Sequence, residues 1–235
     1  QPSSVAVASA DLFNEATMLT FNTSATSRLF SGLDDFMFRV IPDLKVEQEF
    51  IAGWMKDTGL TGTLLTLRDA GNDAYTGPAY AIFARRMAEL GVGLKVVSFD
   101  FNQFELSDYE DVIAGDYAGL YLLAGDFSSS IGHVAQFFHS KHPTTPIFLT
   151  PWAASAPILE RAGPARSQIT LFSHLPARAS NPRLDAYLTR FERRFGYLPT
   201  VMAIYIRQSL EILELALQEG HNTPTQVRQF LQDVQ

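Results

Sequence analysis

The chain has 235 residues, of which 46% are apolar and 18% charged, a balance that builds packed cores and excludes a disordered chain. Its 25 acidic residues outweigh 18 basic ones for a net charge of −7, and no Lys/Arg run exceeds two, so nucleic acid is not an expected partner. Cysteine is absent, which removes thiol catalysis, disulfides and Cys-zinc sites, and no apolar stretch approaches the roughly 20 residues that span a bilayer.

The opening Gln1-Pro2-Ser3-Ser4 carries neither an initiator Met nor a basic-then-apolar signal pattern, so a targeting segment is expected to have been removed or to lie outside this stretch. Residues 4–14 read as a helix, 17–21 as a strand and 36–40 as another. From Gly62 onward short apolar runs alternate with longer amphipathic ones, the pattern of βα units. The predicted strands are 62–68, 94–99, 119–124 and 146–150. Between them fall helices at 75–90, stopped by Gly91, at 108–114, and at 128–140, where leading serines supply a cap. Residues 120–124 are apolar on both faces and need cover on both, which predicts a parallel sheet within 44–176.

Beyond that sheet, residues 182–195, 201–218 and 223–234 read as three helices with no strands of their own. The first two of these are expected to return to the N-terminal strands. The fold class is thus α/β and two-lobed, with parallel sheets flanked by helices. The first lobe comprises 1–43 and 177–220, the second 44–176 and 221–235. Two strands make the first lobe incomplete, leaving apolar faces of helices 4–14 and 201–218 uncovered.

The motifs that could carry chemistry have simpler readings. Gly91-Val92-Gly93 follows a helix and precedes a strand, the reverse of a dinucleotide-binding loop, and reads as a turn. His139 and His142 lack an accompanying carboxylate motif, and Pro143 ends their helix, so a surface pair is expected rather than a metal site. Asp34-Asp35 and the acids between Asp108 and Asp111 offer no partner at a defined spacing. No G-x-S-x-G or H-E-x-x-H occurs, so no catalytic residue, metal or cofactor is assigned. The Asn22-Thr23-Ser24 sequon is read as chance. Small hydroxyl residues gather at element ends, at Ser3-Ser4 and at Thr23-Ser24-Ala25-Thr26, where free backbone N–H groups suit a ligand carboxylate. Ordinary helix capping accounts for them equally well.

Three runs taken together carry a resemblance: Ser3-Ser4-Val5-Ala6-Val7-Ala8-Ser9-Ala10, Asn22 to Ser27, and Phe36-Met37-Phe38-Arg39-Val40-Ile41-Pro42. With Tyr75-Thr76-Gly77, the strand at 118–125 and the helices over 191–219, their order and spacing resemble type I periplasmic binding proteins of the branched-chain amino acid group, the solute receptors of ABC importers. The resemblance implies a periplasmic or extracytoplasmic, non-enzymatic receptor that closes on a small carboxylated ligand in a cleft between lobes and presents it to the membrane subunits of a permease. It implies roles for residues as well. Ser3 and Ser4 match the serine pair that holds the ligand carboxylate, and Ser24, Ala25 and Thr26 the loop that finishes that pocket. Tyr75 matches an aromatic of the opposite lobe, and Asp126 another cleft contact. Trp152 departs from the pattern: it follows Pro151 where amino acid receptors often carry an acid for the ligand ammonium, so Asp126 replaces that charge or the ligand has none and stacks on the indole. A ligand-sensing domain of a regulator or signalling receptor is the alternative reading of the same fold. The resemblance further implies a longer receptor, with βα units before Ser3 and chain beyond Gln235.

Overall fold

A computed structural model describes residues 3–100, 105–125, 130–153 and 155–233. In chain order the first elements are α1 (Ser3–Glu15), β1 (Thr20–Asn22), β2 (Met37–Arg39), α2 (Leu44–Asp57), β3 (Thr63–Asp69) and α3 (Asp73–Glu89). Next come β4 (Gly93–Phe99), α4 (Glu110–Ile113), β5 (Gly119–Leu123), α5 (Ser130–Lys141), β6 (Ile147–Leu149), α6 (Ala156–Ala162) and β7 (Ile169–Leu171). The chain closes with α7 (Pro182–Phe195), α8 (Val201–Gln218) and α9 (Pro224–Asp233). These elements form two compact units, Leu44–His174 and Gln1–Asp43 with Leu175–Gln235. Among the described residues, no helix is long and apolar enough to cross a membrane.

In the contiguous unit five parallel strands pair in the order β4-β3-β5-β6-β7. Strand β5 is buried at every residue because alternate side chains meet different helices. On one face Leu65, Leu67, Leu120, Leu122, Ile147 and Leu149 pack with residues of α5 and α6. On the other, Tyr121 meets Phe83 of α3 with ring centroids 4.6 Å apart, and Phe148 meets Trp54 of α2 at 6.3 Å. Helices α5 and α6 approach closely at Gly132, where a Cβ would stand 2.5 Å from the Ile158 carbonyl oxygen. The sequence reading lacks α2, α6 and β7. In α2 the apolar pattern is inverted in part, with Val46 and Phe50 exposed while Glu47 and Gln48 are buried, and β7 is only three residues long.

In the other unit β1 and β2 pair in parallel, with Phe21 opposite Phe38. The expected strand at 17–21 begins later because Thr17 closes α1 in the left-handed region, φ 52°, while the Met18 N–H donates to the Phe13 carbonyl at 2.8 Å. One core cluster here comprises Ala6, Ala25, Phe30 and Met37, with Ala10 and Phe13 against it. Helix α9, expected with the second lobe, instead belongs to this unit. Arg228 pairs with Asp34 and donates through Nε to the Asp35 carbonyl at 3.1 Å, while Val227 is buried. Helix α8 buries Ile204, Tyr205, Ser209 and Ala216 but leaves Ile206, Leu210 and Leu217 exposed, Leu210 at 60%.

Candidate functional site

In α2, Leu44, Glu47, Gln48, Ile51, Ala52 and Met55 recur at three- and four-residue spacing and are all buried. The buried face of the helix thereby carries a carboxylate and an amide into the interior. The Glu47 side chain is 1% exposed, and four groups converge on it. Oε1 accepts from the Tyr75 hydroxyl at 2.8 Å and from Gln48 Nε2 at 2.8 Å. Oε2 accepts from Trp152 Nε1 at 3.2 Å and pairs with His174 Nε2 at 2.6 Å. Gln48 extends the network by accepting from the Tyr121 hydroxyl at 3.0 Å. Taking a carboxylate out of water costs several kcal/mol unless its lone pairs are filled, and this constellation fills them.

Three of the four partners sit near the carboxyl end of a strand. Tyr75 lies in the first turn of α3, which follows β3; Trp152 lies in the helical turn Pro151–Ala153 after β6; His174 follows β7. Parallel α/β sheets bind ligands at this end, near the point where successive strands leave on opposite sides, here between β3 and β5. Thr150 ties two of these ends together by donating to the Ala124 carbonyl at 2.6 Å. Gly125, just past β5, lets the Tyr75 ring lie against it, since a Cβ there would be 2.8 Å from Tyr75 Cδ1. Trp152 also meets the His174 ring edge-on at 5.1 Å. Burial, and then the nearby Glu47 charge, push the phenols of Tyr75 and Tyr121 well above the ordinary value of 10.0, so both stay protonated as donors.

Of the residues singled out from the sequence, Tyr75 and Trp152 are brought together on Glu47, each 7% exposed. Ser3 and Ser4 open α1 in the other unit. There too, Asn22 Oδ1 accepts from the backbone N–H groups of Ser24 at 3.0 Å and Ala25 at 2.7 Å, which shapes the loop after β1. The Ala25 methyl is packed in the core and its N–H is spent on Asn22. Thr26 is buried, and Asp126 lies outside the described residues. His139 contacts Gln168, and His142 Nε2 lies 2.8 Å from the Ile113 carbonyl. Among the described residues, no three His, Asp or Glu side chains are grouped to hold a metal. Glu47, Gln48 and His174 escaped the sequence reading. The available signal was two polar residues falling on the apolar stripe of α2.

No protein-family model matches the chain, and no curated protein matches it. Solved structures do. The leucine-binding protein LivK of Thermotoga maritima superposes with a TM-score of 0.83 at 18% identity, covering 97% of this chain and 65% of that one. LivJ of Streptococcus pneumoniae, a branched-chain amino acid substrate-binding protein solved with isoleucine, gives 0.76 at 16% identity, covering 97% and 65%. A solute-binding protein from R. palustris solved with benzoate gives 0.72 at 17% identity, covering 96% and 62%. The chain thus spans about two thirds of the length of the structures it matches. Its fold is that of type I periplasmic binding proteins, and the structures it resembles include branched-chain amino acid receptors of ABC transporters.

Proposed function

We propose that this protein is a non-enzymatic, extracytoplasmic solute receptor of an ABC importer that binds a small carboxylic acid and delivers it to permease subunits. The observation that carries this reading is the match of 97% of the chain to a leucine-binding receptor at a TM-score of 0.83. Similar structures hold isoleucine in one case and benzoate in another, and a carboxylate is what those ligands share. In this reading Ser3, Ser4, Ser24 and Thr26 supply donors for the carboxylate and Ala25 shapes the loop that carries the last two, while Tyr75 and Trp152 meet the ligand body and Asp126 adds a polar contact. Both aromatics turn their polar atoms onto Glu47, so the surface left to them is ring carbon, which favours an apolar or aromatic body.

The test is mass spectrometry of ligand released from protein expressed from its complete gene, followed by calorimetry with the identified compound. A small carboxylic acid is expected; a sugar or a metal cation would sink the proposal. Replacing the buried Thr26 hydroxyl in Thr26→Val is expected to weaken binding of that acid by about 1.5–3 kcal/mol, the worth of a hydrogen bond to a charged group.

A further inference from the structure

We infer that Glu47 is a positioning residue, holding Tyr75 and Trp152 from behind, and that it takes no part in binding a ligand ammonium. Its consequence for ligands rests on the receptor reading above; its physical content rests on the bonds of Glu47 alone. A carboxylate offers about four lone-pair sites, two on each oxygen. Tyr75 and Gln48 occupy Oε1, and Trp152 and His174 occupy Oε2. With its side chain 1% exposed, Glu47 can accept from an ammonium only by giving up one of these partners. That would cost a buried phenol, amide, indole or imidazole its bond to the carboxylate, and the exchange is unfavourable. The carboxylate reaches Trp152 from a helix 105 residues earlier in the chain, beside the strand end where an acid would be needed for an amino acid ligand, yet it is turned wholly inward.

The two bonds also decide what the aromatics can do. Trp152 is pinned through Nε1 and, by its edge contact with His174, cannot turn without breaking a second interaction. Tyr75 is pinned through its hydroxyl and backed by Gly125. Fixing two ring planes before a ligand arrives removes an ordering cost from binding, which is the usual benefit of a preorganised site.

Two measurements test the inference. The indole N–H of Trp152, assigned by its loss in Trp152→Phe, is followed by NMR in the ligand-free protein. It is expected to exchange with solvent at least about tenfold more slowly than a free indole, and to shift when Glu47→Gln is introduced. An indole N–H with the shift and exchange of free tryptophan overturns the inference, even where Glu47→Gln fails to fold. Calorimetry then compares leucine with 4-methylpentanoate, which share a skeleton and a carboxylate and differ by the amine. Glu47→Gln is expected to weaken binding about tenfold while leaving the ratio of the two affinities within about threefold of the wild-type ratio. A leucine preference that disappears in Glu47→Gln identifies Glu47 as an ammonium acceptor and overturns the inference. If the wild type binds neither probe nor any other small acid, the receptor reading fails, and the indole measurement still decides the role of Glu47.

Discussion

The two units are made from the same kinds of segment, short apolar runs and amphipathic helices, yet they bury them to different degrees. In Leu44–His174 five parallel strands give every helix a surface to cover, and β5 is buried along its whole length. Among the described residues of the other unit, two three-residue strands accompany α1, α7, α8 and α9, and α8 keeps Ile206, Leu210 and Leu217 exposed. The difference is one of sheet size: five strands offer their helices a broader apolar surface than two strands do. It has a consequence for polar chemistry. Burial makes the Glu47 network both strong and unforgiving, whereas the other unit shapes its loops with partly exposed groups such as the Arg39 guanidinium, which donates to the Ser27 carbonyl and the Ser31 hydroxyl at 2.7 and 2.6 Å.

The sharpest way to break this contrast is Glu47→Ala. Removing the carboxylate takes one hydrogen-bond partner from each of four groups in a closed interior, and a loss of about 3–5 kcal/mol is expected in the contiguous unit. Intrinsic fluorescence in a denaturant titration reads this, since the two tryptophans, Trp54 and Trp152, both lie in that unit. Alkaline pH attacks the same network through two groups at once. The folded phenols of Tyr75 and Tyr121 titrate above 10.0, so the folded state keeps protons that the unfolded state releases. Their contribution is complete below pH 10 and falls as pH rises beyond it toward the folded values. Phenolate absorbance from these tyrosines is expected only together with loss of fluorescence; earlier ionisation would contradict their burial. Gly132→Ala comes next, with about 1–3 kcal/mol lost as α5 and α6 are forced apart, measured by the same titration. Smallest is Leu210→Gln on the exposed side of α8, expected to change stability by no more than about 0.5 kcal/mol by thermal unfolding. A large loss there would show that the residue is covered in the protein in solution.

Much of the contiguous unit is legible from local pattern. The β5 run announces a sheet covered on both faces, and Gly91 marks the end of α3, adopting φ 70° where a left-handed residue closes the helix. Helix α2 is not legible because its stripe is mixed: Glu47 and Gln48 sit among the buried positions while Val46 and Phe50 face outward. The candidate site inherits that blindness. Trp152 stands out only against the resembled family, as the place where an acid is often found, whereas the carboxylate bonded to it arrives from α2, and no spacing rule spans 105 residues. Placing α9 fails for a similar reason, since its partner Asp34 is 194 residues away.

That last pairing bears on how the chain reaches its native state. One unit is continuous, while the other is made of two segments whose meeting closes a loop through the whole of Leu44–His174. Loop-closure entropy grows with the logarithm of the free length, so the contact between Arg228 and Asp34 forms more readily once the intervening residues are compact and no longer count as slack chain. Topology thus imposes a temporal order: tryptophan burial in the continuous unit is expected to precede docking of α9 during refolding, and hydrogen-exchange labelling of Val227 lagging behind that of Leu122 would record it.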